Sequence, residues 1–321
     1  MNCLICNNSE KVNFLDELKL EVKEDSSFFK DAEIFQCTDC DFSFVNPMPK
    51  IDDINFFYEN VYRKKNRPPY WITDNDSDRI KNYLEDKNLS YLLYITTLVD
   101  ITKIKNFYDF GCGDGDIGFA LKKKFSNLEL FCSESDSQCQ KILSNRNYKN
   151  FKDISKIDKK FDFISTTHSL EHLTDTKMFS IFKNMLNPEG FLFFEVPNCT
   201  SEYFKGRPYD SPHLLFYTKK SLEKIALMNN FKIVNISTSA YSFDNDHRYQ
   251  RESQALYEEW ISSKFSKPNI KNVIKKFLPL TLLNIRKNYL KIKKNEESAK
   301  LDWFTNNVGN NCYIRGIFKK N

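Results

Sequence analysis

Glycine is scarce in this chain, with 8 in 321 residues. Any place where several fall together therefore marks a site at which the backbone must turn tightly or approach a ligand. Long apolar runs are missing as well. No stretch reaches the roughly 18 uninterrupted apolar residues of a spanning helix, and Met1 to Cys6 is neither basic nor long in apolar residues, so a soluble, cytoplasmic protein is expected. The nine cysteines lack the spacing of a disulfide framework, and 28% charged against 40% hydrophobic residues is the balance of an ordinary intracellular chain. Charge of one sign is not in excess either. A formal net charge of +5 is small for such a length and gives little support to a nucleic-acid partner. One main domain with attachments is the expectation.

Three of the glycines alternate within Tyr108-Asp109-Phe110-Gly111-Cys112-Gly113-Asp114-Gly115-Asp116-Ile117-Gly118. An apolar strand over 105–110 leads in and a helix over 118–125 follows, which is the nucleotide-binding corner of a doubly wound sheet. Asp109, just before the glycines, suits a ligand carrying an ammonium or sulfonium group better than one carrying a pyrophosphate. In this the stretch resembles motif I of the class I S-adenosylmethionine-dependent methyltransferases, Asp-x-Gly-x-Gly-x-Gly. The resemblance implies an α/β fold with a doubly wound, seven-stranded Rossmann-like sheet. It also implies S-adenosylmethionine as cofactor, with Asp109, Gly111, Gly113 and Gly115 in its site.

The following strands can be placed in turn. Residues 128–132 form one that ends in Ser133-Glu134-Ser135-Asp136, with an acid about twenty residues past the glycines, where a carboxylate accepts hydrogen bonds from ribose hydroxyls. Glu134 takes this role, or Asp136 if the strand runs longer. Asp153 stands where a class I enzyme often offers a carboxylate to the adenine amine; it is equally placed to cap a helix. The strand 161–167 ends in His168-Ser169-Leu170-Glu171-His172-Leu173, resembling the strand-four end of the family. His168, at the ligand edge, stands to meet cofactor or acceptor, while Glu171 and His172 orient the next helix. A helix from 179, ended by a Pro188/Gly190 turn, precedes an apolar strand over 191–196. That strand closes on Asn198, a donor for an acceptor oxygen.

Cys3-x-x-Cys6 and Cys37-x-x-Cys40 are two chelating turns separated by enough chain for a small β structure. Two such pairs complete a tetrahedral thiolate site suited to structural Zn²⁺. With the aromatic helix that follows (Ile54 to Tyr62), this resembles the N-terminal zinc-binding module of a methyltransferase family that includes deoxysugar C-methyltransferases and surface-polysaccharide enzymes. The resemblance makes Tyr58 and Tyr62 pocket residues; their i, i+4 spacing also fits plain helix packing. A loop rich in aromatics, 203–217, carries His213 before Leu214-Leu215-Phe216. It is similar to the family segment whose histidine lies by the acceptor in base-type roles, which makes His213 the first choice of general base, with His168 second. Pro212 replaces the glutamate that precedes this histidine in the sugar C-methyltransferases.

The last strand is expected at 311–319, after a sixth over 231–239. The resulting organisation is a zinc-binding module and linker over 1–70, a methyltransferase core over 71–242 plus 307–321, and a helical insertion over 243–306. Ten Lys or Arg and no acid lie between Lys264 and Lys294. That segment is either a helical cap on the core or a second subunit, or a peripheral contact with an anionic membrane or substrate. The function expected is methyl transfer to a small, saccharide-type acceptor. An RNA methyltransferase docking through the zinc module and a noncatalytic cofactor-binding scaffold are the competing classes.

Overall fold

The computed structural model describes residues 1–20, 27–29, 31–61, 91–92, 94–201, 203–204, 212–239 and 313–321. The chain divides into two units, residues 1–236 with 314–321, and residues 237–313. Most of the second lies outside the described residues. So do Tyr62, the linker after it and the basic segment 264–294.

The first unit begins with three antiparallel strands, β1 (Val12–Glu17), β2 (Glu33–Cys37) and β3 (Phe42–Asn46). Helix α1 (Ile51–Asn60) follows and buries Ile54 and Phe57. The parallel sheet then opens with β4 (Asn106–Phe110), helix α2 (Asp116–Lys124) and β5 (Glu129–Ser133). Next come α3 (Ser137–Asn145), β6 (Tyr148–Asn150), β7 (Phe161–Thr167), α4 (Met178–Met185) and β8 (Leu186–Pro197). A two-residue β9 (Leu215–Phe216), helix α5 (Lys219–Met228), β10 (Phe231–Ser239) and β11 (Tyr313–Lys320) complete the chain.

Seven strands form one sheet in the order β10-β11-β8-β7-β4-β5-β6, and β4, β5, β6, β7 and β8 pair in parallel. The order reverses beside β4, the first strand of the parallel run, so a crevice opens at its C-terminal end, where ligands of such sheets bind. β4, β5 and β7 are buried almost without alternation, polar Asp109, Ser165 and Thr166 included, which is the pattern of strands covered on both faces. Phe107 stacks on Phe163 at 5.5 Å and Tyr108 on Phe161 at 4.8 Å, on neighbouring strands. Tyr91 and Tyr94 pack edge-on or tilted against Phe193 of β8.

Two details depart from the sequence reading. The Pro188/Gly190 segment is not a turn after a longer helix: α4 stops at Met185, and 186–190 already belong to β8. A register shift lets Phe161 face Leu186 while Phe163 faces Phe191, and Glu189 takes up the extra length with a φ of 64°. The strand β6 was not anticipated. With three residues, it lacks the length to show a period.

The second sheet runs β1-β2-β3-β9. Its last strand comes from beyond β8, with Ser43 opposite Phe216 and Phe44 opposite Leu215. The Val45 amide extends the pairing to the Leu214 carbonyl at 3.0 Å. The N-terminal hairpin strands and the loop after β8 are therefore one structure within the first unit.

Candidate functional site

Gly111, Gly113 and Gly115 have φ values of 61°, 57° and 76°, a left-handed region that only glycine enters at little cost. At Gly111 a Cβ would also meet Ser169 Oγ at 2.2 Å, whereas at Gly113 it would meet nothing within 4 Å. The backbone at Gly113 thus borders open space, as a cradle for a ligand requires. Gly115 is the N-cap of α2, so the helix and its N-terminal partial charge begin directly at the end of the glycine turn.

Glu134 lies just past the end of β5. Its Oε2 accepts the Gly113 amide at 2.8 Å and its Oε1 the Asp136 amide at 2.9 Å. Asn150, on β6, holds Glu134 by its backbone: the Glu134 amide donates to Asn150 Oδ1 and Asn150 Nδ2 donates to the Glu134 carbonyl, each at 3.0 Å. Tyr148, also on β6, donates from its hydroxyl to the Gly115 carbonyl at 2.7 Å and fills the space beneath that glycine. A polar residue closing a short run after Asn147 was the only signal for either.

Asp109 is buried at 2% exposure and accepts the Ser165 hydroxyl at 2.6 Å. Burial pushes its carboxyl up to about 7 against that hydrogen bond, and Asp114, Glu134 and Asp116 add to the rise. Asp114 is pushed up to about 7 by burial and by Asp116, with Arg146 opposing. This corner accumulates carboxylates whose charge is costly there, and a cationic ligand would relieve that cost. Asp153 sits elsewhere in character. Its carboxylate caps the short turn Ile154–Lys156, accepting from the Ser155 amide at 3.0 Å and pairing with Lys156 at 3.1 Å.

Across the crevice, β7 ends in His168, held at a φ of 51°. Its Nε2 lies 3.1 Å from Glu195 Oε1 and its Nδ1 3.5 Å from Glu171 Oε1. Glu195, an acid inside the apolar run of β8, is buried and also engages Tyr91 and Arg315. It was not singled out from the sequence, although a lone charge in a core strand was a signal for a paired site. Asn198 follows directly on β8, half-buried at the same edge.

The remaining residues gather around His213. Tyr58 of α1 places its hydroxyl 2.7 Å from His172 Nδ1, and Tyr203 places its own 2.8 Å from His213 Nδ1. The two imidazoles meet edge-on with centroids 4.9 Å apart. Burial, with His213 nearby, pushes His172 down to about 4. Glu171 is 1% exposed and neither of its oxygens accepts a hydrogen bond. Burial alone would raise its carboxyl, but His168 and the other two histidines bring it below the usual carboxylate range.

The four N-terminal cysteines converge as well. Cys3 and Cys40 lie 3.6 Å apart at sulfur, as do Cys6 and Cys37, and all four sulfurs fall within 4.8 Å of one another. A tetrahedron with Zn–S bonds of ~2.3 Å has edges of roughly 3.8 Å, so the thiols fit the ion. Each pair closes through the same local device, a left-handed residue right after its second cysteine: Asn7 at φ 58° and Asp41 at φ 56°.

The candidate site lies at the C-terminal ends of β4, β5, β7 and β8, and one comparison decides the family of the chain. A family model described as a methyltransferase domain matches residues 87–277. The chain belongs to the methyltransferase domain family. S-adenosylmethionine-dependent methyl transfer is the activity that goes with it. No curated protein matches this methyltransferase. Similar solved structures include coclaurine N-methyltransferase bound to N-methylheliamine and S-adenosylhomocysteine, with 15% identity, 80% of this chain and 77% of that chain covered and a TM-score of 0.46. Another is the O-methyltransferase of a trans-AT polyketide synthase from Brevibacillus brevis with S-adenosylhomocysteine, at 15% identity, 76% coverage of each chain and a TM-score of 0.42. A third is a SAM-dependent methyltransferase from Archaeoglobus fulgidus, at 17% identity, 74% and 93% coverage and a TM-score of 0.41. Identities this low leave the acceptor open. Among the described residues no helix is long and apolar enough to cross a membrane.

Proposed function

We propose that this methyltransferase acts on a small-molecule acceptor of saccharide type, an intermediate of polysaccharide or natural-product synthesis, and that Cys3, Cys6, Cys37 and Cys40 hold a structural zinc ion. The observation that carries the cofactor side is the Glu134 carboxylate, set by two backbone amides beside the open face of Gly113. Glu134 then accepts from the ribose hydroxyls, and the carboxylates at 109 and 114 favour the cationic end of the ligand. Bound S-adenosylmethionine supplies an activated methyl group. The protein's own part is positioning and proton removal.

For the acceptor side, Tyr58, His172, Tyr203 and His213 form a wall of hydroxyls and imidazoles that suits a ligand rich in hydroxyl groups. With His213 donating its Nδ1 proton to the Tyr203 hydroxyl, Nε2 carries the lone pair and takes the proton from the acceptor. His168, at the end of β7, and Asn198, at the end of β8, border the same crevice and orient the acceptor oxygen. The zinc ion fixes the N-terminal strands on which Leu214 to Phe216 pair, and through them the backbone beside His213.

Incubation of the full chain with S-adenosylmethionine and a panel of nucleoside-diphosphate sugars, with S-adenosylhomocysteine measured by mass spectrometry, tests both parts. Turnover on a sugar is expected. Failure to bind S-adenosylhomocysteine in calorimetry would overturn the cofactor site, and turnover confined to non-saccharide acceptors would overturn the acceptor class.

A further inference from the structure

Glu171 poses a problem that methyl transfer does not solve. A carboxylate 1% exposed, with neither oxygen in a hydrogen bond and only a long ion pair to His168, is costly, because buried anions need hydrogen-bond donors or a closely bound cation. The nearest candidate, His168 Nδ1 at 3.5 Å, is too far for a hydrogen bond and faces Glu195 on its other side at 3.1 Å. What surrounds Glu171 instead is a set of metal donors. One donor atom each from Glu171, His172 and His213 lies within 4.8 Å of the other two.

We propose that Glu171, His172 and His213 form a second metal site, taking a divalent transition-metal ion that prefers nitrogen and oxygen donors. Two histidines and one carboxylate with open positions suit zinc or iron(II) rather than a thiolate-seeking ion. Donors around an ion with bonds of ~2.1 Å lie roughly 3.0–3.6 Å apart at angles of about 90–120°, so side-chain rotation must draw the three in from the 4.8 Å within which they now fall. Each imidazole is oriented through Nδ1 by a tyrosine, Tyr58 for His172 and Tyr203 for His213. Metal-bound histidines are oriented in this way by outer partners.

The ligands come from two elements that the fold already ties together. Glu171 and His172 lie in the turn after β7, and the Leu214 amide, next to His213, donates to the Glu171 carbonyl at 2.7 Å. The trio is therefore held by backbone rather than by chance approach of long side chains. An ion there presents its open positions to the crevice, where an oxygen of the acceptor can complete its coordination. With the ion bound His213 is a ligand, so its roles as base and as ligand are exclusive.

The test uses the full chain with its cysteine site filled with zinc, titrated with Co²⁺ in the absence of cofactor and acceptor. Visible d–d absorption without a near-ultraviolet thiolate band is expected. It should vanish in Glu171→Gln, which preserves shape, and in half-buried His213→Gln, with folding checked by circular dichroism. Tyr58→Phe, which removes only an orienting hydroxyl, should weaken cobalt binding roughly tenfold. No cobalt signal in the wild type, a signal that survives in either folded ligand variant, or a thiolate band marking entry into the cysteine cluster would each overturn the site. Because neither cofactor nor acceptor is present, such a failure leaves the methyl-transfer reading standing, and loss of methyl transfer leaves the cobalt result standing.

Discussion

The Gly113 amide donates to Glu134 Oε2 across 2.8 Å, joining the glycine turn after β4 to the acid after β5. The carboxylate is oriented before any ligand arrives, so little ordering is left for the binding step. Glu134→Ala should weaken S-adenosylmethionine binding by about 10- to 100-fold, as expected for charge-assisted hydrogen bonds of ~1.5–3 kcal/mol. Calorimetry with S-adenosylhomocysteine measures this directly, and unchanged affinity would remove Glu134 from the site.

His213→Ala should behave in the opposite way. Cofactor affinity is expected to hold while turnover falls by roughly 10²- to 10⁴-fold, the range for a lost general base. Tyr203→Phe, which leaves the imidazole but removes its orienting hydroxyl, should fall between wild type and His213→Ala. A fully active His213→Ala would end the base assignment.

Stability should depend on pH through Asp109. Its folded value is about 7, raised chiefly by burial, against ~3.9 in an unfolded chain. The folded state therefore binds the proton more tightly. The contribution is fully present below pH 4 and is lost as pH rises through 7, with Asp114 acting in the same direction. Asp109→Asn should flatten the fall in melting temperature between pH 5 and pH 8; a wild type that shows no such fall would contradict the burial argument.

Arg315 and Glu195 form an ion pair with both partners at or below 2% exposure. Removing one partner leaves the other charged and buried, so Arg315→Met should cost about 3–5 kcal/mol in urea unfolding. The double variant Arg315→Met with Glu195→Leu should recover much of that loss, since an apolar pair of similar volume escapes the desolvation cost. A double variant less stable than the sum of its singles would show that Tyr91 and His168 need the carboxylate.

Chelation at the four cysteines should loosen more than the N-terminal strands. A strong chelator is expected to lower the melting temperature and to abolish turnover while S-adenosylhomocysteine still binds, and Cys37→Ser, which leaves Glu171, His172 and His213 intact, is expected to reproduce both losses. Readdition of zinc should restore both. Turnover that persists after complete zinc removal would separate the cysteine cluster from the acceptor side.

The strands were legible because each is a short β-prone segment that ends at a recognisable motif: 105–110 at the glycine turn, 128–132 before Glu134 and 161–167 before His168. The glycine turn and the two cysteine pairs were legible because spacing alone constrains them. Residues 148–150 were not, since three residues carry no period, and with them went the anchoring of Glu134 by Asn150. Pairings between distant segments were equally hidden. Nothing in Leu215-Phe216 says that it lies beside Phe44 and Ser43, and nothing in Glu195 says that Arg315, 120 residues later, will neutralise it. Such contacts depend on where the fold carries each segment, and local pattern does not encode that.

The order in which the chain is made has a bearing on the sheet β1-β2-β3-β9. Its first three strands lie within the first 46 residues, but its fourth is residues 215 and 216. On a ribosome the N-terminal hairpins emerge early and wait, with the edge of β3 uncovered, until more than half of the chain has followed. Strands made within the first 46 residues are thus completed only by residues made well after them, and a truncated fragment ending before residue 215 would present that edge to other chains.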